Sequence, residues 1–353
     1  YDIYEAIKES LDLLDMKFES KDNILIKPSV VTAAYAYQSV NTNPEFLDGL
    51  LKVLFDFGIK KEHTIIAEQA LIGSDSKDAA AKAGILDVCK KNGIEFHDIS
   101  KGPFEEIESE GYKFKVFKEA MKRKIINVPV MKTNFQLGIS GAMENLARLA
   151  DEHTQRDMYF DDIDKTLPKL AKALGVFTIA DATNGMQGQG PLLLGEPAFF
   201  NLVLASNSIE NVDKCFCEAF MLQEPGYLKA IGIDIKNIEV VGNSIDSLKY
   251  SIKPSSPNET AHPDIKVIDG KACPACLNRV DRITSRLIGL RGDELTIVMG
   301  AHIDPNKLKG KERLVILGNC AIKSLNKLGL NVDAKLDEKT DELEQLVLMK
   351  KLL

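Results

Sequence analysis

A chain of 353 residues, 44% hydrophobic and 27% charged, is long enough to bury more than one core and has the balance of an ordinary globular protein. Its formal charge of −7 gives no general attraction to nucleic acid, although 45 Lys and Arg leave room for a local anion pocket. Six cysteines over this length exclude a disulfide-stapled secreted scaffold, and no apolar run reaches the length of a bilayer span.

The start, YDIYEAIKE, has neither an initiator methionine nor a signal-peptide pattern. The chain is therefore read as beginning part-way into a longer one, with the cytoplasm as the expected compartment. After a first helix, NILIKP (23–28) reads as a strand ending at a proline, and PEFLDGLLKVLFDF (44–57) as a helix stopped by Gly58. HTIIAE (63–68) reads as a strand, 76–92 as one helix, and IEFHD (94–98) as the next strand. Further strands are expected at 124–128, 176–180 and 200–205, with helices over 140–150 and 161–174, the second bent near Pro168. The Pro- and Ser-containing stretch 246–272 reads as a connection. Beyond it, a helix after Cys276 and strands at 294–298 and 313–317 form a carboxy-terminal unit, and the last residues read as a helix. The alternation predicts an open, mixed or mostly parallel α/β sheet with crossover helices over 1–245, a linker over 246–272, and a small cysteine-containing α/β unit over 273–353.

Polar residues at strand ends are the first chemical signal, because open α/β sheets place ligands at the carboxyl ends of their strands. Lys27 stands at one such end, and Lys132, Thr133 and Asn134 at another, in VPVMKTN (128–134). A lysine supplies mobile positive charge and Thr and Asn fix donor directions, which suits a carboxylate or phosphate. The second signal is DATNGMQGQGP (181–191), where Gly188 and Gly190 are expected to expose backbone amides to an anion, and where Asp181 could orient a substrate or bind Mg²⁺. Its spacing fits neither the dinucleotide fingerprint nor a P-loop. A structural turn remains the alternative reading of this stretch.

In NILIKP, NPE (43–45), VPVMKTN, GISGAMENL (138–146), DATNGMQGQGP and IEVVG (238–242), the chain resembles the DUF362 family over residues 20–245. The resemblance implies an α/β domain and, in many relatives, iron–sulfur chemistry. Two positions depart from the family pattern: Ser29 replaces Asn after Lys-Pro, and Glu144-Asn145 replaces Lys-Asn, reversing a charge beside the expected pocket. Asn145 is taken as substrate-binding and Glu144 as a catalytic acid–base residue.

KACPACLNRV (271–280) supplies the third signal. Cys273 and Cys276, joined by Cys320 in VILGNCA (315–321), are expected to hold an inorganic centre: a [4Fe–4S] cluster with one non-cysteine position, or zinc with a fourth donor from His262, His302 or Asp269. No ferredoxin cysteine run is present. A redox dithiol and ordinary buried cysteines are the alternatives. Cys89, Cys215 and Cys217 are read as structural.

Together these signals lead to an expected iron–sulfur-dependent redox or Lewis-acid enzyme acting on a small anionic metabolite. The other readings are an electron carrier with a redox protein partner, a metal-stabilised binding protein, and a Mg²⁺-assisted enzyme of phosphorylated substrates. Nothing in the sequence points to nucleic acid, membrane or a particular oligomer.

Overall fold

The computed structural model describes residues 2–256, 259–326, 332–337 and 339–353. They fall into two units, Tyr1–Gln155 with Asp164–Ser255, and Arg156–Ile163 with Ser256–Leu353. Among the described residues, no helix is long and apolar enough to cross a membrane.

The first unit opens with α1 (Ile3–Leu13), β1 (Ile24–Pro28) and α2 (Pro44–Asp56). Asn43 caps α2 by accepting the Glu45 amide at 2.9 Å, and Pro44 sits at its first position, where a missing N–H is harmless. One face of α2, including Phe46, Leu47, Leu50 and Leu54, is fully buried against the sheet core. β2 (Thr64–Glu68), α3 (Ser76–Lys82), α4 (Ile85–Asn92) and β3 (Glu95–Asp98) follow. The single helix predicted over 76–92 is thus two. Gly84, at φ +81°, takes the left-handed conformation that ends one and begins the other.

A hairpin of β4 (Phe104–Ser109) and β5 (Tyr112–Phe117) leads to β6 (Lys124–Val128), β7 (Val130–Asn134) and β8 (Gly138–Ser140). The helix predicted over 140–150 is only α5 (Ala142–Leu146) followed by a 3₁₀ turn. Next come α6 (Glu152–Asp161) and α7 (Ile163–Leu174), which carries Pro168 inside it. β9 (Val176–Gly188), β10 (Gly195–Ala198), β11 (Leu202–Ser206) and α8 (Ile209–Ala219) complete the main body. Two short helices follow, α9 (Gly226–Ile231) and α10 (Ile245–Leu248).

The strands form one sheet in the order β3-β2-β1-β6-β9-β7-β8, with β10 and β11 also pairing with β9. The pairs among β3, β2, β1, β6 and β9 and the β7–β9 pair are parallel, whereas β8, β10 and β11 pair antiparallel. This is the open mixed sheet with crossover helices expected from the alternation. β9 differs from the prediction: it runs through the glycine-rich stretch instead of turning at residue 181, because β11 pairs with its first half and β7 and β10 carry the pairing on to Gly188.

In the second unit β12 (Ile265–Gly270), α11 (Pro274–Leu287), β13 (Leu295–Gly300), β14 (Leu314–Leu317), α12 (Asn319–Leu325), β15 (Ala334–Leu336) and α13 (Glu342–Leu352) follow in chain order. The four strands lie side by side, all parallel, in the order β12-β13-β14-β15. β12 falls within the stretch 246–272 predicted as a linker and forms an edge of this sheet. Ile268, Val298, Ile316 and Ala321 form part of its core.

Candidate functional site

Two strand ends and one short helix bring charge into the interior of the first unit. Lys27 on β1 and Glu68 at the end of β2 are both fully buried, with Lys27 Nζ donating to Glu68 Oε2 at 2.5 Å. Lys27 also donates to Asn145 Oδ1 at 3.3 Å, and Asn145 Nδ2 reaches Asn127 Oδ1 at 2.8 Å. On α5, Glu144 accepts the Ser140 hydroxyl, and Arg148 follows in the 3₁₀ turn after that helix. Lys132 on β7 donates to the carbonyl of Val40 at 2.7 Å.

The electrostatics tie these groups into one network. Burial drives Lys27 down to about 8, opposed chiefly by Glu68. Burial also drives Lys132 down to about 7, opposed by Glu144, while Arg148 and Lys27 push the same way as burial. Glu68 is raised by burial against the pull of Lys27 and Arg148. The named members are three cations and two carboxylates, all at least nine-tenths buried. Arg148 is 6% exposed, and among the described residues its guanidinium makes a single long hydrogen bond, 3.4 Å to the carbonyl of Val30. Both Arg148 and Lys132 therefore lean on neutral carbonyls of the β1–α2 loop. That loop is held by Asn41, whose side chain accepts the Val31 amide and donates to the carbonyls of Thr32 and Ala34.

Lys27, Lys132, Glu144 and Asn145 are thus brought together. The other residues singled out in this unit are occupied locally. Thr133 donates its hydroxyl to the carbonyl of Gly188 at 2.8 Å, and Asn134 Oδ1 accepts the amides of Gln136 and Leu137. The amide of Gly188 is bonded to the Lys253 carbonyl and that of Gly190 to the Gly188 carbonyl, so both point into the fold instead of toward an anion. Gly190 is a packing requirement: a Cβ there would lie 2.2 Å from the Thr133 carbonyl oxygen. Asp181 is fully buried, and its oxygens accept the Asn43 amide and both the amide and hydroxyl of Thr183. Burial pushes it up to about 6. It ties β9 to the start of α2.

Three participants are invisible to a reading of isolated motifs. Glu68 ends a strand as Lys27 nearly does, and that shared position is the signal that could have found it. Arg148 lies three and four residues beyond Asn145 and Glu144. Asp213 on α8, fully buried, accepts the amides of Ala142 at 2.5 Å and Met143 at 3.0 Å and the Tyr227 hydroxyl at 2.9 Å. It thereby anchors the start of α5, the helix that carries Glu144 and Asn145. A cavity of about 260 Å³ elsewhere in this unit, lined by parts of α1, β11 and α8, has Glu9 and Glu239 as its charged lining and offers an anion no cation.

In the second unit the cysteines sit at carboxyl ends of parallel strands. Cys273 is the residue before the first turn of α11, with Pro274 at the first helical position, and Cys276 lies in that turn. Cys320 lies in the first turn of α12, after β14. The bond from the Cys276 thiol is the chief cause that lowers Cys273, to about 6. Cys276 is pushed far above the ordinary thiol range by that same bond, by burial, and by the charges of Cys273 and Cys320. Its Sγ contacts the Leu317 carbonyl at 3.9 Å, and a Cβ on Gly318 would lie 2.6 Å from it. The expected fourth donors are engaged in other ways. His262 lies between the Leu290 carbonyl and the Asp264 amide, His302 meets the Phe160 carbonyl, and Asp269 accepts the Ala272 amide. Among the described residues, no group of three or more His, Cys, Asp or Glu is arranged to hold a metal ion, so this geometry does not present a ready set of donors for zinc or a [4Fe–4S] cluster.

The family described as "Domain of unknown function (DUF362)" matches residues 24–218, more than half of the chain. That span contains β1, β2, β7, α5 and every member of the buried charged network. No curated protein matches the sequence.

Proposed function

Because the chain belongs to the DUF362 family, whose description leaves its activity open, we propose that the first unit binds a small anionic metabolite through a carboxylate or phosphate and exchanges a proton with it. Arg148 carries this reading. A guanidinium has five N–H donors in a planar fork suited to carboxylate or phosphate, and here one long bond to a carbonyl is what it makes among the described residues. A bound anion would also balance the excess of buried positive charge, which is expensive to leave uncompensated.

Lys132 supports the proton-transfer part. A group near 7 is populated in both protonation states at neutral pH, which is where a general acid–base residue works best. An anion placed beside it favours the ammonium form, so binding at neutral pH takes up protons. Glu144, held by Ser140, faces the same charges and is the second proton-carrying group of the site. Lys27, Glu68 and Asn145 position the cluster from below. The β1–α2 loop, whose carbonyls now receive Arg148 and Lys132, gives way to the ligand's oxygens.

The test is thermal unfolding of the full chain with inorganic phosphate, citrate and, as a cationic control, spermidine. Stabilisation by phosphate or citrate that is absent in Arg148→Gln supports the reading. Equal responses of wild type and variant, or no response to either anion, overturns it.

A further inference from the structure

We propose that Cys273 and Cys276 form a thiol–disulfide exchange pair that reduces low-molecular-weight disulfides. This goes beyond the anion site, because it uses other residues, another unit and another chemistry.

The geometry is that of an attacking thiol and a resolving thiol. Cys273 sits at the N-cap position of a 14-residue helix and Cys276 at its third position, so the first turn places the two thiols beside each other. Pro274 presets the backbone between them, and the Cys276 amide returns to the Cys273 carbonyl at 3.1 Å. Their accessibilities are unequal: Cys273 is partly exposed, whereas Cys276 is 8% exposed beneath β14 and Gly318. An external disulfide thus meets Cys273 first. The position at the start of α11 and the nearby positive charge of Arg156 favour the Cys273 thiolate.

The rest of the chain supplies the contrast. Burial raises Cys89 and Cys215 to about 11 and Cys217 further still, leaving them protonated and unreactive. Cys215 and Cys217 are two residues apart on α8, on different faces, so they do not form a pair.

The reaction balances with a disulfide R–S–S–R as the oxidant. The Cys273 thiolate attacks one sulfur, the S–S bond breaks, and RS⁻ leaves to be protonated, giving a mixed disulfide on Cys273. Cys276 then loses its proton and attacks Cys273 Sγ, expelling the second RS⁻. Two thiols of the protein have become one disulfide, and R–S–S–R has gained two electrons and two protons as two RSH. A dithiol reductant reverses the change on the protein.

The thiolate fraction and the lower nucleophilicity of a low-pKa thiol work against each other. A lowered Cys273 is therefore expected to outpace an ordinary cysteine by a larger margin at pH 6 than at pH 7.

The experiment uses the full chain, purified and reduced without oxygen, then mixed with glutathione disulfide and analysed by alkylation and peptide mass spectrometry. The expected product is a Cys273–Cys276 disulfide that also forms in Cys320→Ser. Cys276→Ser is expected to trap glutathione on Cys273, and the trapped glutathione is expected to vanish when Cys273→Ser is added. A disulfide that uses Cys320 in place of Cys273 would overturn the assignment. So would failure to trap glutathione on Cys273, or near-stoichiometric zinc, or iron with sulfide, lost from all three single cysteine variants.

Discussion

Replacing Lys27 with Met tests whether the buried charges form one network. Lys27 and Glu68 have no solvent exposure and are joined at 2.5 Å, and Lys27 has further bonds at 3.2 Å to the Pro28 carbonyl and 3.3 Å to Asn145. Lys27→Met keeps the length of the stem but leaves Glu68 in the interior with the Gln69 amide as its hydrogen-bond donor. Breaking one side of a buried pair costs about 3–5 kcal/mol, whereas replacing both sides with apolar groups is close to neutral. For a unit of this size, that corresponds to a fall in Tm of about 6–20 °C. In Lys27→Met/Glu68→Leu most of the loss should return, leaving about 1–2 kcal/mol for the stranded Asn145 and Gln69 groups. Urea unfolding of wild type, both single variants and the double variant gives the coupling energy directly. A loss below about 1 kcal/mol in Lys27→Met, or a double variant equal to the sum of the singles, would refute the network.

Three further outcomes follow from the same geometry. Lys132 is about 7 in the folded chain against 10.5 when exposed, so between those values the unfolded chain binds more protons and stability rises with pH. From pH 7 to 8.5, wild type should therefore gain about 1–2 kcal/mol relative to Lys132→Met in urea unfolding, and a flat difference would contradict the burial of a titrating lysine. Gly141→Ala should destabilise by about 1–3 kcal/mol, because the new Cβ would lie 2.1 Å from Oδ1 of Asp213, which accepts the Ala142 amide while Oδ2 is held by the Met143 amide and Tyr227; an unchanged Tm would show that Asp213 is free to move. Phosphate binding at pH 7.5, measured calorimetrically in buffers of different ionisation enthalpy, should take up protons in wild type and not in Lys132→Met. Equal uptake in both would remove Lys132 from the proton-transfer role.

The parallel sheet was legible because its strands are short apolar runs separated by helical patterns, and its carboxyl ends pointed to Lys27 and Lys132, while the DUF362 resemblance pointed to Asn145. What stayed hidden depended on pairing at a distance. DATNGMQGQGP looks like a turn by composition, but β7, β10 and β11 pair with it and make it strand, with Gly190 seated against the Thr133 backbone. The hairpin 104–117 alternates clearly, yet its Glu110-Gly111 turn is weaker punctuation than Asn-Gly; both residues nonetheless take positive φ. Glu68 and Arg148 carried no motif of their own, since a charged residue at a strand end or on a short helix is ordinarily solvated. Their burial exists only once β2 and α5 converge on Lys27. The cysteine spacing could not supply the asymmetry of Cys273 and Cys276, in which Cys273 is partly exposed at the start of α11 while Cys276 is buried against β14 and Gly318.

The most direct test of the anion site is isothermal titration of inorganic phosphate and of citrate into the full chain and into Arg148→Gln at pH 7. The network predicts saturable one-to-one binding of at least one of these anions, weakened at least tenfold in Arg148→Gln while the variant keeps a cooperative unfolding transition. Heats that do not saturate in wild type, or an affinity unchanged by Arg148→Gln, would contradict it.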